Sequence, residues 1–331
     1  MDVLLGEKLT LSSSLHPDYL TLGSGAIKGY YILGALHVMH VNGMLIHVKG
    51  YSGVSVGSMI SLLMISGFTP IDIATMAYNT RIFDADFTFD NLKKIIAEAG
   101  EKMGIISDQP IRNFLKSALE KKYSNIPTLK SLYEITGIDF YSITYNQSTM
   151  KTVYLSHLTH PDMCCIDAVL LSINIPFLFH KKHYQNEVYI DGAFGDPLPI
   201  APFDGKGYVV AIFVSSENVS DDNHLASYTQ KIMISSVCSL KNMIMKMADP
   251  KTSFLEIVCP LIIDVTGQSL GTSERGRMLH HGGEALNQYI RKIELIHEIP
   301  SKSSLQKLLS DDPHQAVIYR SLSLNGDLED L

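Results

Sequence analysis

One pentapeptide constrains this chain more than any other feature. Gly53-Val54-Ser55-Val56-Gly57 reads G-x-S-x-G. A serine in such a motif sits on a sharp strand-to-helix turn that exposes its hydroxyl, and small flanking residues permit the turn. The context is the one the motif requires. A short apolar run, Leu45 to Val48, precedes it, and an apolar helical stretch from about Gly57 to Ser66 follows, closed by Gly67.

The neighbouring segments continue an alternation of strand and helix. Tyr19 to Leu22 predicts a strand, Gly23 to Lys28 a loop, and Ile27 to Val41 a helix stopped by Asn42-Gly43. Thr69 and Pro70 open a third helix, as N-cap and first helical residue. This succession argues for an α/β sheet with parallel pairing. Farther on, Phe140 to Tyr145 and Thr152 to Leu155 predict a hairpin. Val188 to Ile190, Tyr208 to Val214 and Phe254 to Val258 predict single strands, and 228–247 and 273–297 long helices. Residues 84–130 are richer in charge and predict a helical insertion, either a lid over the site or packed structure. Nothing divides the chain further, so one domain is expected over 17–293, with a polar tail over 301–331.

Composition narrows the partners. The net charge is −7, so no nucleic acid is expected, because phosphate binding needs a concentrated basic face. Cys164, Cys165, Cys238 and Cys259 lack framework spacing and read as reduced thiols of a cytosolic type of compartment. Metal ligation by the vicinal pair is the sharper alternative, but no second Cys/His pair has zinc spacing. The N-terminus lacks the pattern of a signal peptide, and no stretch has the length of a membrane span. The expected location is cytoplasmic, peripheral to membranes if the substrate is lipid.

The chemistry rests on three groups. Serine is a weak nucleophile unless a neighbouring base takes its proton, and Ser55 is the candidate nucleophile. The Gly-rich segment Gly23-Ser24-Gly25-Ala26-Ile27-Lys28-Gly29 offers free backbone N–H groups, with Gly25 and Ala26 as candidate oxyanion donors. The same segment is compatible with a dinucleotide-binding turn. That reading expects an acidic residue after the second strand, and none occurs between Asp18 and Asp72. No dinucleotide is therefore expected. For the base, Asp191-Gly192-Ala193 ends an apolar run, and burial would raise the carboxyl's pKa and strengthen it. A triad instead needs one of the later histidines: His224, His280, His281, His297 or His314.

These motifs, in this order, resemble the patatin-like phospholipase family. That family has a glycine-rich loop with Lys or Arg before its last Gly, then G-x-S-x-G, then Asp-Gly-Gly or Asp-Gly-Ala. Lys28-Gly29, Gly53 to Gly57 and Asp191 to Ala193 fit, whereas Ser24 and Ala26 stand where glycine is usual. Asp167-Ala168 with Ser172, Ile173 and Pro176, and Gly282-Gly283 with Ala285, resemble further family segments. The resemblance implies a three-layer α/β sandwich with a mainly parallel central sheet and helices on both faces. It implies a lipid acyl hydrolase with a Ser55–Asp191 dyad, no metal or other cofactor, and a phospholipid or other acyl-lipid substrate. Lys28 would stabilise the loop or attract lipid phosphate. Two alternatives differ in class: a soluble-ester hydrolase with a Ser-His-Asp triad, and a non-catalytic lipid-binding protein.

Access to lipid needs a surface. The 228–247 helix carries Ile232, Met233, Val237, Leu240, Met243, Ile244 and Met247 with Lys231, Lys241 and Lys246. Flexible methionine with lysine suits a membrane interface, and a helix packed on the sheet shows much the same pattern.

Overall fold

A computed structural model of the chain describes residues 16–80, 103–216, 225–260 and 271–298. Residues 84–102 of the expected insertion, the expected tail, His224 and His314 lie outside them.

The strands are β1 (Tyr19–Leu22), β2 (Gly50–Val54), β3 (Gly104–Ile106), β4 (Asp139–Asn146), β5 (Lys151–Leu155), β6 (Phe177–Phe179), β7 (Lys182–Tyr184), β8 (Glu187–Asp191), β9 (Val209–Ser216) and β10 (Thr252–Cys259). The helices are α1 (Gly29–Val41), α2 (Val56–Ile65), α3 (Pro70–Asn79), α4 (Gln109–Leu119), α5 (Leu129–Thr136), α6 (Cys165–Ser172), α7 (Leu225–Met247) and α8 (Thr272–Glu298). Short 3-10 turns cover Ala26–Lys28 and Gly192–Phe194.

Eight strands form one sheet in the order β10-β9-β1-β2-β4-β8-β7, with β5 also paired to β4. From β10 to β4 every pairing is parallel. Beyond β4 the pairings to β5, β8 and β7 are antiparallel. The mainly parallel sheet flanked by helices is thus as expected. Parallel pairing brings the ends of β1 and β2 to one edge, Leu22 opposite Gly53. Open α/β sheets bind ligands outside such carboxyl ends.

The strand before the serine is Gly50–Val54, not the expected Leu45 to Val48, where the chain turns. The reason is burial between two neighbours, which leaves little room for side chains. A Cβ on Gly50 would lie 2.7 Å from the Phe203 ring and 2.9 Å from Asp139 Cβ. Ser52 instead donates to the Pro199 carbonyl at 2.6 Å and meets the Thr21 hydroxyl at 2.8 Å.

Two local expectations hold, the helix start at Thr69 and the β4–β5 hairpin. Thr69 caps α3 in a reciprocal box with Asp72. The β4–β5 hairpin pairs Ser142 with Leu155. α4 buries Ile111, Phe114, Leu115, Ala118 and Leu119, an i, i+3, i+4, i+7, i+8 stripe, in the main core. α1 and α8 cross with their backbones in contact. A Cβ on Gly34 would stand 1.9 Å from the Leu279 carbonyl oxygen, and one on Gly282 1.9 Å from that of Tyr31.

Candidate active site

Ser55 joins β2 to α2. Its backbone has φ 57° and ψ −126°, a conformation that costs a non-glycine residue of order 1–3 kcal/mol and persists only when its surroundings fix it. Two contacts do so. Ser55 N–H donates to Ser172 Oγ at 2.9 Å, and Ser172 Oγ donates to the Ile143 carbonyl at 2.5 Å. On the other side, the Ser55 carbonyl accepts from the Ser58 and Met59 N–H groups and starts α2.

The glycines of the motif are required by close approach. A Cβ on Gly53 would lie 2.5 Å from the Gly57 carbonyl, and one on Gly57 would lie 2.2 Å from the Leu22 carbonyl oxygen. The second contact seats the Gly-rich loop directly on the elbow. Gly29 and Val56 make another such contact, since a Cβ on Gly29 would stand 2.7 Å from Val56 Cγ2.

In that loop Gly25 has an extended φ of 172°, and Ala26 opens the 3-10 turn with φ 47°. Ala26 thus adopts the left-handed conformation that glycine takes more cheaply. N–H groups at the start of such a turn have no acceptor within it. Ser24 lies between the two flanking glycines, half-buried. Lys28 is also half-buried, and burial pulls its pKa down, opposed by Cys259 and Cys238.

Asp191 ends β8, opposite Thr144 of β4. Its N–H donates to the Asn174 carbonyl at 2.8 Å. Gly192 brings the following turn hard against the elbow strand. A Cβ there would lie 2.1 Å from the Ile143 carbonyl oxygen and 2.9 Å from Val54 Cγ2. Asp191 Oδ1 accepts from the Ala193 N–H at 2.9 Å, while buried Oδ2 has no partner at hydrogen-bonding distance. Burial pushes this carboxyl up from 3.8 to about 6, against the lowering effects of the nearby Ser55 hydroxyl and the Ala193 N–H. Ser55 and Asp191 are both almost fully buried, at 3% and 2% exposure.

A second buried aspartate follows five residues later. Asp196 accepts from the Tyr154 hydroxyl at 2.7 Å and from the Leu198 N–H at 3.3 Å. Burial raises its pKa too, but both of its oxygens are engaged. Only Asp191 of this pair keeps an oxygen open.

Of the later histidines, His281 is turned away from this site. Its Nε2 lies 3.1 Å from the Val258 carbonyl and its ring packs edge-on to Tyr31. His280 and His297 belong to α8. Among the described residues no histidine contributes to the electrostatics of Asp191. The four cysteines are free thiols.

Sequence pattern alone gives Ser172 and Asn174 no part in the site, and gives Val237 only a place on a helix that either meets lipid or packs on the sheet. Ser172 and Asn174 hold the backbones of Ser55 and Asp191. Val237 of α7 packs against Val54, Ile143 and Ala193, so this helix lies over the site. The signal for the first two was present, since Ser172 lies in the segment that resembles the family's, but their hydrogen bonds join residues far apart in sequence.

A buried serine on a strand–helix elbow, a buried carboxyl beside it and a loop of backbone donors define a serine acyl-transfer type of site on an α/β sheet. The family model for patatin-like phospholipases matches residues 20–204. The chain belongs to the patatin-like phospholipase family. It is 32% identical over 193 residues to "Probable lipid hydrolase 463L" of Invertebrate iridescent virus 6, a match covering 57% of this chain and 65% of that protein. It is 26% identical over 216 residues to an uncharacterized protein of Acanthamoeba polyphaga mimivirus, covering 62% and 68%. Among solved structures it is similar in fold to VipD from Legionella pneumophila, with a TM-score of 0.55 at 18% identity over 84% of this chain and 67% of that one.

Proposed function

We propose that this chain is a lipid acyl hydrolase of phospholipase A type, working through a Ser55–Asp191 dyad. The observation that carries this reading is the state of Asp191. It is a buried carboxyl beside the elbow serine, with one oxygen fixed by the Ala193 N–H, the other open, and a pKa of about 6. General bases work best when their pKa lies near the operating pH.

In the first step Asp191 Oδ2 takes the proton of Ser55 Oγ as that oxygen bonds to the ester carbonyl carbon. The Gly25 and Ala26 N–H groups hold the oxyanion of the tetrahedral intermediate, helped by the N-terminal dipole of α2. Collapse breaks the ester C–O bond, and the leaving alcohol takes the proton back from Asp191. A water molecule then attacks the acyl-serine, giving its proton to Asp191. The fatty acid leaves, and the proton returns to Ser55. Lys28, a half-buried residue of the loop, holds it in place and favours a phosphate-bearing substrate.

A triad needs a histidine at the carboxyl. The partners acting on Asp191 among the described residues are Ser55 and a backbone N–H, which supports the dyad over the triad. The family and the viral lipid hydrolase support lipid as the substrate class. The contact with a membrane is peripheral; among the described residues no helix is long and apolar enough to cross one.

The test is fatty-acid release from mixed phospholipid vesicles with chelator present. Wild type should release fatty acid, and Ser55→Ala and Asp191→Asn should not. Activity that survives Asp191→Asn contradicts the dyad. A folded wild type without release on vesicles, but active on short soluble esters, contradicts the lipid substrate.

A further inference from the structure

α7 has one face on the site and another that nothing described covers. Between Lys231 and Met247 no residue is fully buried. On the inner side Val237 packs on Val54 and Ala193, next to Ser55 and Asp191, and Ile244 and Met245 pack on the cluster around Phe213. On the outer side Ile232, Met243 and Met247 are 51%, 52% and 77% exposed. With about 100° per residue these three fall within about 60° of one another, on one stripe. Ser236 and Ser239 lie along the same stripe.

Charge separates α7 from the rest of the chain. Its 23 residues include three lysines and no acidic residue, in a protein of net charge −7. Lys241 turns inward, where its Nζ lies 3.4 Å from Glu256 and over the Phe213 ring. On the same side of the stripe, Lys246 is exposed about 40° from Ile232, and half-buried Lys231 lies farther round, about 100° from it.

We propose that the outer face of α7 is the surface by which this protein lies on an anionic lipid bilayer. The proposal rests on reading the site as a lipid acyl hydrolase, and it names where that hydrolase meets its substrate. Exposed Ile and Met side chains enter the boundary between headgroups and acyl chains, and Lys246, with Lys231 farther round, meets anionic headgroups. Ser55 is almost fully buried, so a lipid must reach it from an adjoining surface. Through Val237, α7 packs on the cluster of Val54, Ile143 and Ala193 that borders the site. Docking by α7 therefore delivers lipid at the entrance.

The chain contains no tryptophan, so Met247→Trp in a Ser55→Ala background gives a single reporter that cannot be confused by hydrolysis. Ile135→Trp on exposed α5 is the control. With vesicles of phosphatidylcholine and phosphatidylserine, the emission of Met247→Trp should shift to the blue and that of Ile135→Trp should not. Lys231→Gln with Lys246→Gln should weaken partitioning about 25-fold, from about fivefold for each lysine near an anionic surface. Three results overturn the proposal: no sedimentation with these vesicles, sedimentation without a shift at 247, or a concentration-dependent shift without vesicles, which marks self-association through α7. The reading of the site is tested apart from this. In the chain with intact Ser55, Ile232→Gln with Met247→Gln should keep hydrolysis of a short monomeric ester while losing vesicle hydrolysis. Failure of both wild-type hydrolyses with vesicle docking intact counts against the hydrolase reading, not the docking face.

Discussion

Ser172 holds Ser55 by its backbone: its hydroxyl accepts a hydrogen bond from the Ser55 N–H at 2.9 Å and donates one to the Ile143 carbonyl at 2.5 Å. The strained elbow is thus tied to β4 through one side chain of α6. Ser172→Ala should leave a buried N–H unpaired, at a cost of about 1–3 kcal/mol. Urea unfolding should show that loss. Because the elbow geometry loosens, kcat on a soluble ester should fall more than KM rises.

Asp191 sets opposite demands on stability and activity. A carboxyl at about 6 when folded, against 3.8 ordinarily, is protonated more readily in the native state. Its contribution is fully present below 3.8 and is lost as pH rises through about 6, which leaves a cost of about 3 kcal/mol at neutral pH. Asp191→Asn should therefore unfold at higher urea than wild type at pH 7, with the difference shrinking toward pH 4. Over the same range wild-type kcat should fall about tenfold per pH unit below about 6, as the base becomes protonated.

Ala26 occupies a left-handed position with φ 47°. Relief of that conformation is worth about 1–2 kcal/mol, offset by about 0.4–1 kcal/mol from the freer unfolded chain. Ala26→Gly should be neutral to about 1.6 kcal/mol more stable, with activity kept. Ala26→Val should displace the loop and lower kcat roughly 10²–10³-fold, the effect of a lost oxyanion donor. Paired urea titrations and ester assays check both.

Gly57 and Gly192 stand where a Cβ would lie 2.2 Å and 2.1 Å from carbonyl oxygens. Backbone cannot yield as a flexible side chain does. Gly57→Ala and Gly192→Ala should each destabilise by about 1–3 kcal/mol or more and lower activity. Thermal unfolding of the two variants measures this.

The motifs were legible because each encodes a local demand. Gly53, Ser55 and Gly57 specify the elbow, Thr69-Pro70 a helix start, and Asp191-Gly192 a turn. The preceding strand was misplaced because Gly50, Ser52 and Gly53 look unlike a strand until Phe203, Asp139 and Gly57 are set against them. Ser172 and Asn174 escaped a role for a related reason: their partners lie at Ser55, Ile143, Tyr189 and Asp191, and no local pattern announces such pairings. The 228–247 pattern was ambiguous because α7 packs Val237 inward and leaves Met247 exposed, so neither face alone sets its periodicity.

Proton transfer from the nucleophile Ser55 to Asp191 is the step on which the proposed mechanism turns. The direct measurement is labelling with a long-chain fluorophosphonate, the adduct mapped by mass spectrometry and its rate followed against pH. One adduct is expected, on Ser55, forming at a rate that falls below about pH 6 and collapses in Asp191→Asn. An adduct on another residue, or an unchanged rate in Asp191→Asn, would contradict that mechanism.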